Sequence, residues 1–476
     1  MSTHTKKKGW RERALLSQVL EQWQANKSFD LVTREFSIGG RLTTILFVDG
    51  FIKDEVFAKM MDFMMKITPQ EMESITSVQE FIKRFVPYVE VTAKDNPDDI
   101  MTDILSGNTG MFVEGFEQCI LVDSRTYPQR SIQEPDKDKV LRGSHEGFVE
   151  TVVFNTALIR RRLRDPHLTM EITKIGRRSQ TDVVMCYLDN KVDKRLLRKI
   201  REKLQNLRIN SLTMTMQSLA EVLVDTKWFN PLPKVRYTER PDVAAACVQE
   251  GKLLVLIDNT PSVMILPTSF FDFFEEADDF YFPPVTGTYM RLVRLVIFLS
   301  TLVVTPLWLL YLQHPEDFPS WMSFLQIEKP NGLPIIVQLL LLELAVDGLR
   351  LASVNTPDIL SSSLSIVGAL LLGEFAVSAG IFIPDTILFS AFTATAIFTQ
   401  PDFELGYAFK FGRVLLLVLT HFFGYWGFGI GLALELICIL FNRDISGRSY
   451  LYPLIPLDWT ALKRKFVREK MNRDNS

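Results

Sequence analysis

Between residues 290 and 441 the chain carries five long apolar runs with few charges, whereas the first 285 residues mix charged and apolar side chains throughout. A helix needs about 20 apolar residues to cross a bilayer. Leu292–Leu312, Leu333–Val354 and Ile359–Ile381 reach that length. Ile383–Phe398 is shorter, and Val414–Phe441 is longer and interrupted by Gly424, Gly427, Gly429 and Gly431. Pro306 inside the first run is expected to kink it. These runs predict a chain in two parts, a soluble N-terminal region and a C-terminal bundle of membrane helices.

The soluble region reads as mixed α and β. RLTTILFV at 41–48 is a predicted strand ending on the Asp49-Gly50 turn. Residues 51–66 have helical apolar spacing, and 110–122 read as two short strands around Glu114-Gly115. Arg142–Arg164 reads as one helix, and 168–188 as two strands joined near Gly176. Residues 192–207 form an amphipathic helix with Val192, Leu196, Ile200, Leu204 and Leu207 on one face. Gly251–Ile257 and Ser262–Leu266 pair as a hairpin. The fold class expected is an α+β soluble region, in two subdomains that divide near 125–145, followed by an α-helical polytopic transmembrane domain. The expected domains are a polar, loosely ordered segment at 1–40, the soluble domain at 41–285, the transmembrane domain at 286–441 and a basic tail at 442–476. Pro267–Pro284, rich in aromatics and acids, suits either a helix packed on the soluble domain or a collar at the membrane interface.

Charge sets the orientation. Arg291 and Arg294 precede the first apolar run, and Lys463, Arg464, Lys465, Arg468, Lys470 and Arg473 follow the last. Cytoplasmic flanks are enriched in Lys and Arg, so both ends are expected in the cytoplasm. Both ends on one side require an even number of crossings. Five runs satisfy this only if one is re-entrant or the glycine-broken run is a hairpin. No apolar stretch resembling a cleavable signal occurs in the first thirty residues. The overall formal charge of −3 argues against a nucleic-acid partner. Cys119, Cys186, Cys247 and Cys438 form no CxxC pair, which argues against a zinc site or a disulfide framework.

Chemistry-bearing residues cluster in the apolar runs. Glu343, Asp347 and Arg350 fall on one helix face. They form either a packing ion pair such as Asp347–Arg350 or part of an ion pathway. The run 359–381 is rich in small and hydroxyl residues. Ser361, Ser365, Gly368 and Leu372 make one stripe, and Glu374 lies on the same helix. Small stripes permit close helix packing, or in a ring of subunits can line a pore with Leu372 as an apolar gate. Glu435, deep in the last run, allows a packing or a conducting role. The soluble region has no P-loop, no GxGxxG and no paired metal-ligand histidines, so neither an enzyme nor a cofactor is expected. Arg160, Arg161 and Arg162 form either a solvated helix face or a contact for acidic residues of another subunit.

Several stretches resemble the A subunits of the GerA family of spore germination receptors: RSIQEP at 130–135, RGSHEGFVE at 142–150, NTALIRRRL at 155–163, LVLIDNTPSVMILPT at 254–268, FFDFFEEADDFY after it, SIVGALLLGEFAVSAGIF at 365–382 and YLYPLIPLDW at 450–459. The resemblance runs from about residue 40 to 460. His145 before Glu146-Gly147 departs from the family pattern, and a second departure, VNTPDILSSS at 354–363, with TPLWLLYLQHPE at 305–316, is more similar to the stage V sporulation protein AF branch than to a nutrient receptor. The resemblance implies a multi-pass protein of the spore inner membrane, a homo-oligomeric ring, expected to be a pentamer, that conducts monovalent cations, and other membrane germination proteins as partners. Alternatives are a non-conducting accessory or scaffold, or a nutrient receptor subunit. Glu134, Arg142 and Glu146, within the resembling motifs, join the three arginines as subunit-contact candidates.

Overall fold

The computed structural model describes residues 14–468 apart from 26, 53, 87, 89, 126–139, 141, 213–214, 225–227, 328–332, 356–375 and 401. The chain divides into two units. The first comprises residues 1–225 and 237–267, the second 226–236 and 268–476.

The first unit holds two five-stranded sheets. A helix at 14–22 (α1) leads into β1 (Leu31–Ile38) and β2 (Arg41–Val48), then α2 (Asp54–Met65), α3 (Pro69–Glu73) and α4 (Val78–Phe85). β3 (Val91–Lys94), α5 (Pro97–Leu105), β4 (Thr109–Val113) and β5 (Cys119–Val122) complete the first sheet, in the order β1-β2-β4-β5-β3. The expected loose segment at 1–40 is thus corrected over its described residues from 14 onward. β1 pairs with β2 along its whole length, and Val19 and Trp23 are buried against α5. Alternating polar residues in LVTREFSI hide a strand whose ends, Leu31 and Ile38, are its fully buried positions.

The second sheet follows α6 (Val152–Arg162). β6 (Leu168–Ile175), β7 (Thr181–Leu188), α7 (Lys194–Asn206), α8 (Thr215–Leu223), β8 (Arg236–Thr238), α9 (Pro241–Gln249), β9 (Leu253–Ile257) and β10 (Val263–Leu266) give the order β6-β7-β9-β10-β8. α7 buries Leu196, Leu197, Ile200 and Leu204 beneath a basic outer face, as its 3.6-residue period requires. The helix expected from Arg142 begins only at Val152. Asn155 accounts for the difference: its side chain accepts from Val149 N (2.8 Å) and donates to Val149 O (2.6 Å), holding the preceding chain in a loop. Such side-chain competition for backbone groups disfavours helix.

The second unit is helical. A 3₁₀ turn at Phe270–Phe274 and α10 (Asp278–Tyr281) precede α11 (Pro284–Gln313), which runs through Pro306. α12 (Ile335–Asn355), the single turn α13 (Ala376–Ser378), α14 (Pro384–Phe398), α15 (Phe403–Phe441) and α16 (Trp459–Phe466) follow. α11 and α15 are long and apolar enough to be candidate membrane spans. The glycine-broken run forms a hairpin, in α15. Gly424 has φ 53° and ψ −128°, a conformation only glycine adopts readily, and the helix doubles back there. A Cβ on Gly427 would overlap the Leu419 carbonyl, one on Gly431 the Leu416 side chain, and one on Gly412 the Glu435 carboxylate. The three glycines are therefore the seam between two antiparallel arms. The second half of α11 follows the first arm: Phe298, at mid-helix, packs on Phe409, and His314, just past the helix end, stacks on Tyr425 at the apex.

Candidate functional site: buried charge in the helical unit

Glu343 and Asp347 sit one turn apart on α12 and face Lys410 and Arg413 on the first arm of α15. Lys410 Nζ lies 2.5 Å from Asp347 Oδ2 and 3.3 Å from Glu343 Oε2, and Arg413 Nη2 lies 2.7 Å from Glu343 Oε1. Both cations are buried. Arg413 Nη1 also donates to the Thr301 carbonyl of α11 (3.1 Å), so three helices meet at one charge centre. Two acids and two bases cancel, which answers the cost of charge in an apolar setting. The Arg413–Glu343 pairing is Coulombic more than directional, because Arg413 Nε and Nη2 have no well-aligned hydrogen-bond acceptor among the described residues. The ion pair expected between Asp347 and Arg350 gives way to Asp347–Lys410. Arg350 instead lies over the rings of Phe403 (4.7 Å) and Tyr407 (5.0 Å), a cation–π arrangement. A cavity of about 20 Å³, lined by Glu343, Asp347, Arg350, Tyr407 and Lys410 among others, has room for about one water.

Glu435 stands apart from this centre. It projects from the second arm over Gly412 of the first and has no ion-pair partner among the described residues. The bare Cα of Gly412 leaves the space its carboxylate fills.

At the end where α11 begins, a second charge centre forms. Asp279, buried, meets Arg291 Nε (3.3 Å) and Arg294 Nη1 (3.0 Å), and Arg294 also pairs with Glu276. Lys465 of α16 bridges Asp272 and Glu275. Beside it Phe270, Phe273, Phe274 and Phe298 pack around buried Tyr450, whose hydroxyl donates to the Pro233 carbonyl (2.6 Å). Burial pushes the Tyr450 phenol up. The aromatic–acidic stretch at 267–284 contributes a 3₁₀ turn and α10 that pack within the helical unit. It is a plug at the foot of the helical unit, and the two arginines read as orientation signals are its anchors.

Of the other sequence candidates, Ser361, Ser365, Gly368, Leu372, Glu374 and Glu134 lie outside the described residues. Arg142 is exposed. Glu146 binds Arg161 (3.2 Å) and Arg162 (2.8 Å) of its own chain. Arg160 is 0% exposed, which corrects its place among subunit-contact candidates. Its guanidinium is held by Asp30 (2.8 and 3.0 Å), the Leu168 carbonyl (2.9 Å), the Asp165 carbonyl (3.2 Å) and Ser28 Oγ (3.3 Å). Lys410 and Arg413 escape a sequence reading that starts the last apolar run at Val414. Their three-residue spacing, opposite the acids of Leu333–Val354, is the signal that could have found them.

The family model described as Bacillus/Clostridium GerA spore germination protein matches residues 18–476. The chain is 34% identical to the stage V sporulation protein AF of Bacillus subtilis (strain 168), over 93% of this chain and 89% of that protein. It is 27% identical to the spore germination protein KA of the same organism, over 94% and 82%. Among solved structures, the N-terminal domain of the A subunit of the Bacillus megaterium spore germinant receptor GerK3 aligns with 52% of this chain and 92% of its own, at 24% identity and a TM-score of 0.39. With the family model covering nearly the whole sequence, the chain belongs to the GerA family of spore germination proteins.

Proposed function

We propose that this chain is a multi-pass subunit of an oligomeric membrane assembly that conducts monovalent cations early in spore germination, with its soluble unit in the cytoplasm and its helices in the spore inner membrane. The observation that carries the reading is Glu435, a carboxylate in an apolar helix with no cation beside it among the described residues. Acids without a counter-charge inside a membrane bundle typically serve ion pathways. The hairpin supports the topology: α11, α12, α14, the two arms of α15 and the apolar run 359–381 make six crossings, the even number that two cytoplasmic ends require. The stripe Ser361, Ser365, Gly368 and Leu372 remains the proposed pore lining, with a homo-pentameric ring as its setting and other membrane germination proteins as partners. Cation flux through purified protein in liposomes tests this. Flux that falls several-fold in Glu435→Gln is expected, and tight vesicles with correctly inserted protein would overturn it.

A second reading, a non-conducting scaffold, is favoured by one feature. Glu343, Asp347, Lys410 and Arg413 neutralise one another and so brace three helices, as a lock does. Under that reading the same liposomes stay tight while the protein still captures other germination proteins.

A further inference from the structure

The stretch between the second arm of α15 and α16 turns apolar side chains outward although it is firmly fixed. Tyr450 N donates to the Asn442 carbonyl (3.1 Å), placing the stretch at the very end of that arm. Tyr450 and Leu451 are buried in the plug, as is Leu462 of α16. Backbone bonds from Leu454 and Ile455 to the Leu451 carbonyl (2.7 and 3.2 Å) and from Asp458 to the Pro453 carbonyl (2.9 Å) tie the intervening loop down. Yet Leu457 is 65% and Trp459 71% exposed, and Leu454 and Ile455 are exposed too. Phe441, the last residue of the arm, is 81% exposed as well, next in sequence to the Asn442 that Tyr450 binds. An ordered loop that presents four large apolar groups to water is costly unless an apolar phase covers them.

We propose that residues 454–459 are an interfacial anchor, seated in the headgroup–acyl boundary of the leaflet on the side where α11 begins. This rests on the reading that the helical unit crosses a membrane. The occupant is phospholipid, because the patch continues the exposed face of the arm at the level where that arm ends. The chemistry of the segment fits that layer: Trp459 is the residue type that favours it, and Lys463 and Arg464 follow on the exposed side of α16 while Arg443 and Arg448 precede the loop. The inner end of the loop grips the plug through Tyr450, so the anchor sets the depth at which the Phe270–Phe274 turn is held.

Full-length protein carrying Cys438→Ser, which leaves only the buried Cys119, Cys186 and Cys247, is labelled with a nitroxide at Leu457→Cys or Leu454→Cys. Nanodiscs of phosphatidylcholine with phosphatidylglycerol are used. Leu434→Cys on the second arm and Lys199→Cys on the soluble unit serve as references. The expected result is an oxygen-to-nickel-chelate accessibility ratio at 457 and 454 several-fold above that at 199 and below that at 434. A ratio at 457 and 454 equal to that at 199, with 434 lipid-like, overturns the anchor and leaves the membrane reading standing. Shielding of 457 and 454 from both reagents also overturns it, since protein then covers the patch. A water-like ratio at 434 overturns the membrane reading itself, and the anchor with it.

Discussion

Two of the places where the molecule buries ionic groups treat them differently. In the soluble unit, Arg160 and Asp30 form one pair whose hydrogen bonds all point at a partner, with two carbonyls and a serine hydroxyl completing the set. The pair also links the sheets: Asp30 directly precedes β1, Arg160 belongs to α6, and Ser28 Oγ, which donates to Asp30, accepts from Met170 N of β6 (2.9 Å). In the helical unit, four charges balance without saturating their directional bonds. The first arrangement tolerates one geometry. The second is held by net neutrality in a low dielectric, which falls off slowly with distance and so survives small helix shifts. Rigidity is thus built where two sheets must keep register, and latitude where helices pack in an apolar setting.

Breaking the rigid pair is expected to have the largest effect. Asp30→Ala leaves a guanidinium buried and uncompensated, at a cost of about 3–5 kcal/mol. Denaturant midpoints of the purified protein, read on the soluble-unit transition, check this. Reversing all three of Arg160, Arg161 and Arg162 is then expected to unfold the soluble unit and says nothing about assembly. The double reversal Arg161→Glu/Arg162→Glu, at partly exposed positions, is the informative variant. Smaller particles in detergent, with a midpoint lowered only by the loss of the two Glu146 pairs, are expected if those residues contact a neighbour.

The looser centre is expected to respond less. Glu343→Gln removes one acid while Asp347 still balances Lys410, so the loss falls below the full cost of a buried orphan charge, at about 2 kcal/mol. Adding Arg413→Gln restores neutrality and is expected to recover part of that loss. A double-mutant cycle on thermal unfolding in detergent measures the coupling. Additive losses would show that the four charges do not act as one centre.

The hairpin seam gives a smaller effect of steric origin. Gly412→Ala pushes a methyl into the Glu435 carboxylate and is expected to cost about 1–3 kcal/mol, with Glu435→Ala in the same chain relieving most of it. If the two arms do not touch there, the pair of substitutions brings no relief.

Acid is expected to act last and weakly on the soluble unit. The Arg125 guanidinium holds the Asp123 carboxyl below the usual range, and Lys194 does the same for Asp189. A carboxyl depressed in the folded state contributes stability above its unfolded value, near 3.9, and loses it as pH falls through the folded value. Stability of the soluble unit should therefore be flat at neutral pH and decline below about pH 4. Asp123→Asn and Asp189→Asn are expected to flatten that decline by a fraction of a kcal/mol each, since both sites are partly open to solvent.

The strands and helices with clean periodicity were legible: β2, β4 with β5, β6 with β7, α7 and the β9–β10 hairpin all fall where alternation or the 3.6-residue spacing places them. β1 was not, because its polar central residues hide a strand whose apolar ends are the buried positions. The start of α6 was missed because a single asparagine, through tertiary hydrogen bonds, outweighs local propensity. In the helical unit the acids of α12 were legible and their partners were not. Hydropathy trims charged residues from the ends of a span, and Lys410 and Arg413 were cut away with them. Arg160 was indistinguishable from its two neighbours, since the carboxylate that buries it lies 130 residues earlier.

The plug at the foot of α11 sets an order of events during synthesis. Asp272 leaves the ribosome 193 residues ahead of Lys465, the cation that holds it. At about 5–20 residues per second that interval is roughly 10–40 s. Through it, Phe270, Phe273 and Phe274 wait without Tyr450 while the later helices are still being made. The foot of the helical unit can close only when Tyr450 and Lys465 arrive, so a ribosome stalled after Phe441 leaves the apolar helices made and their foot uncovered.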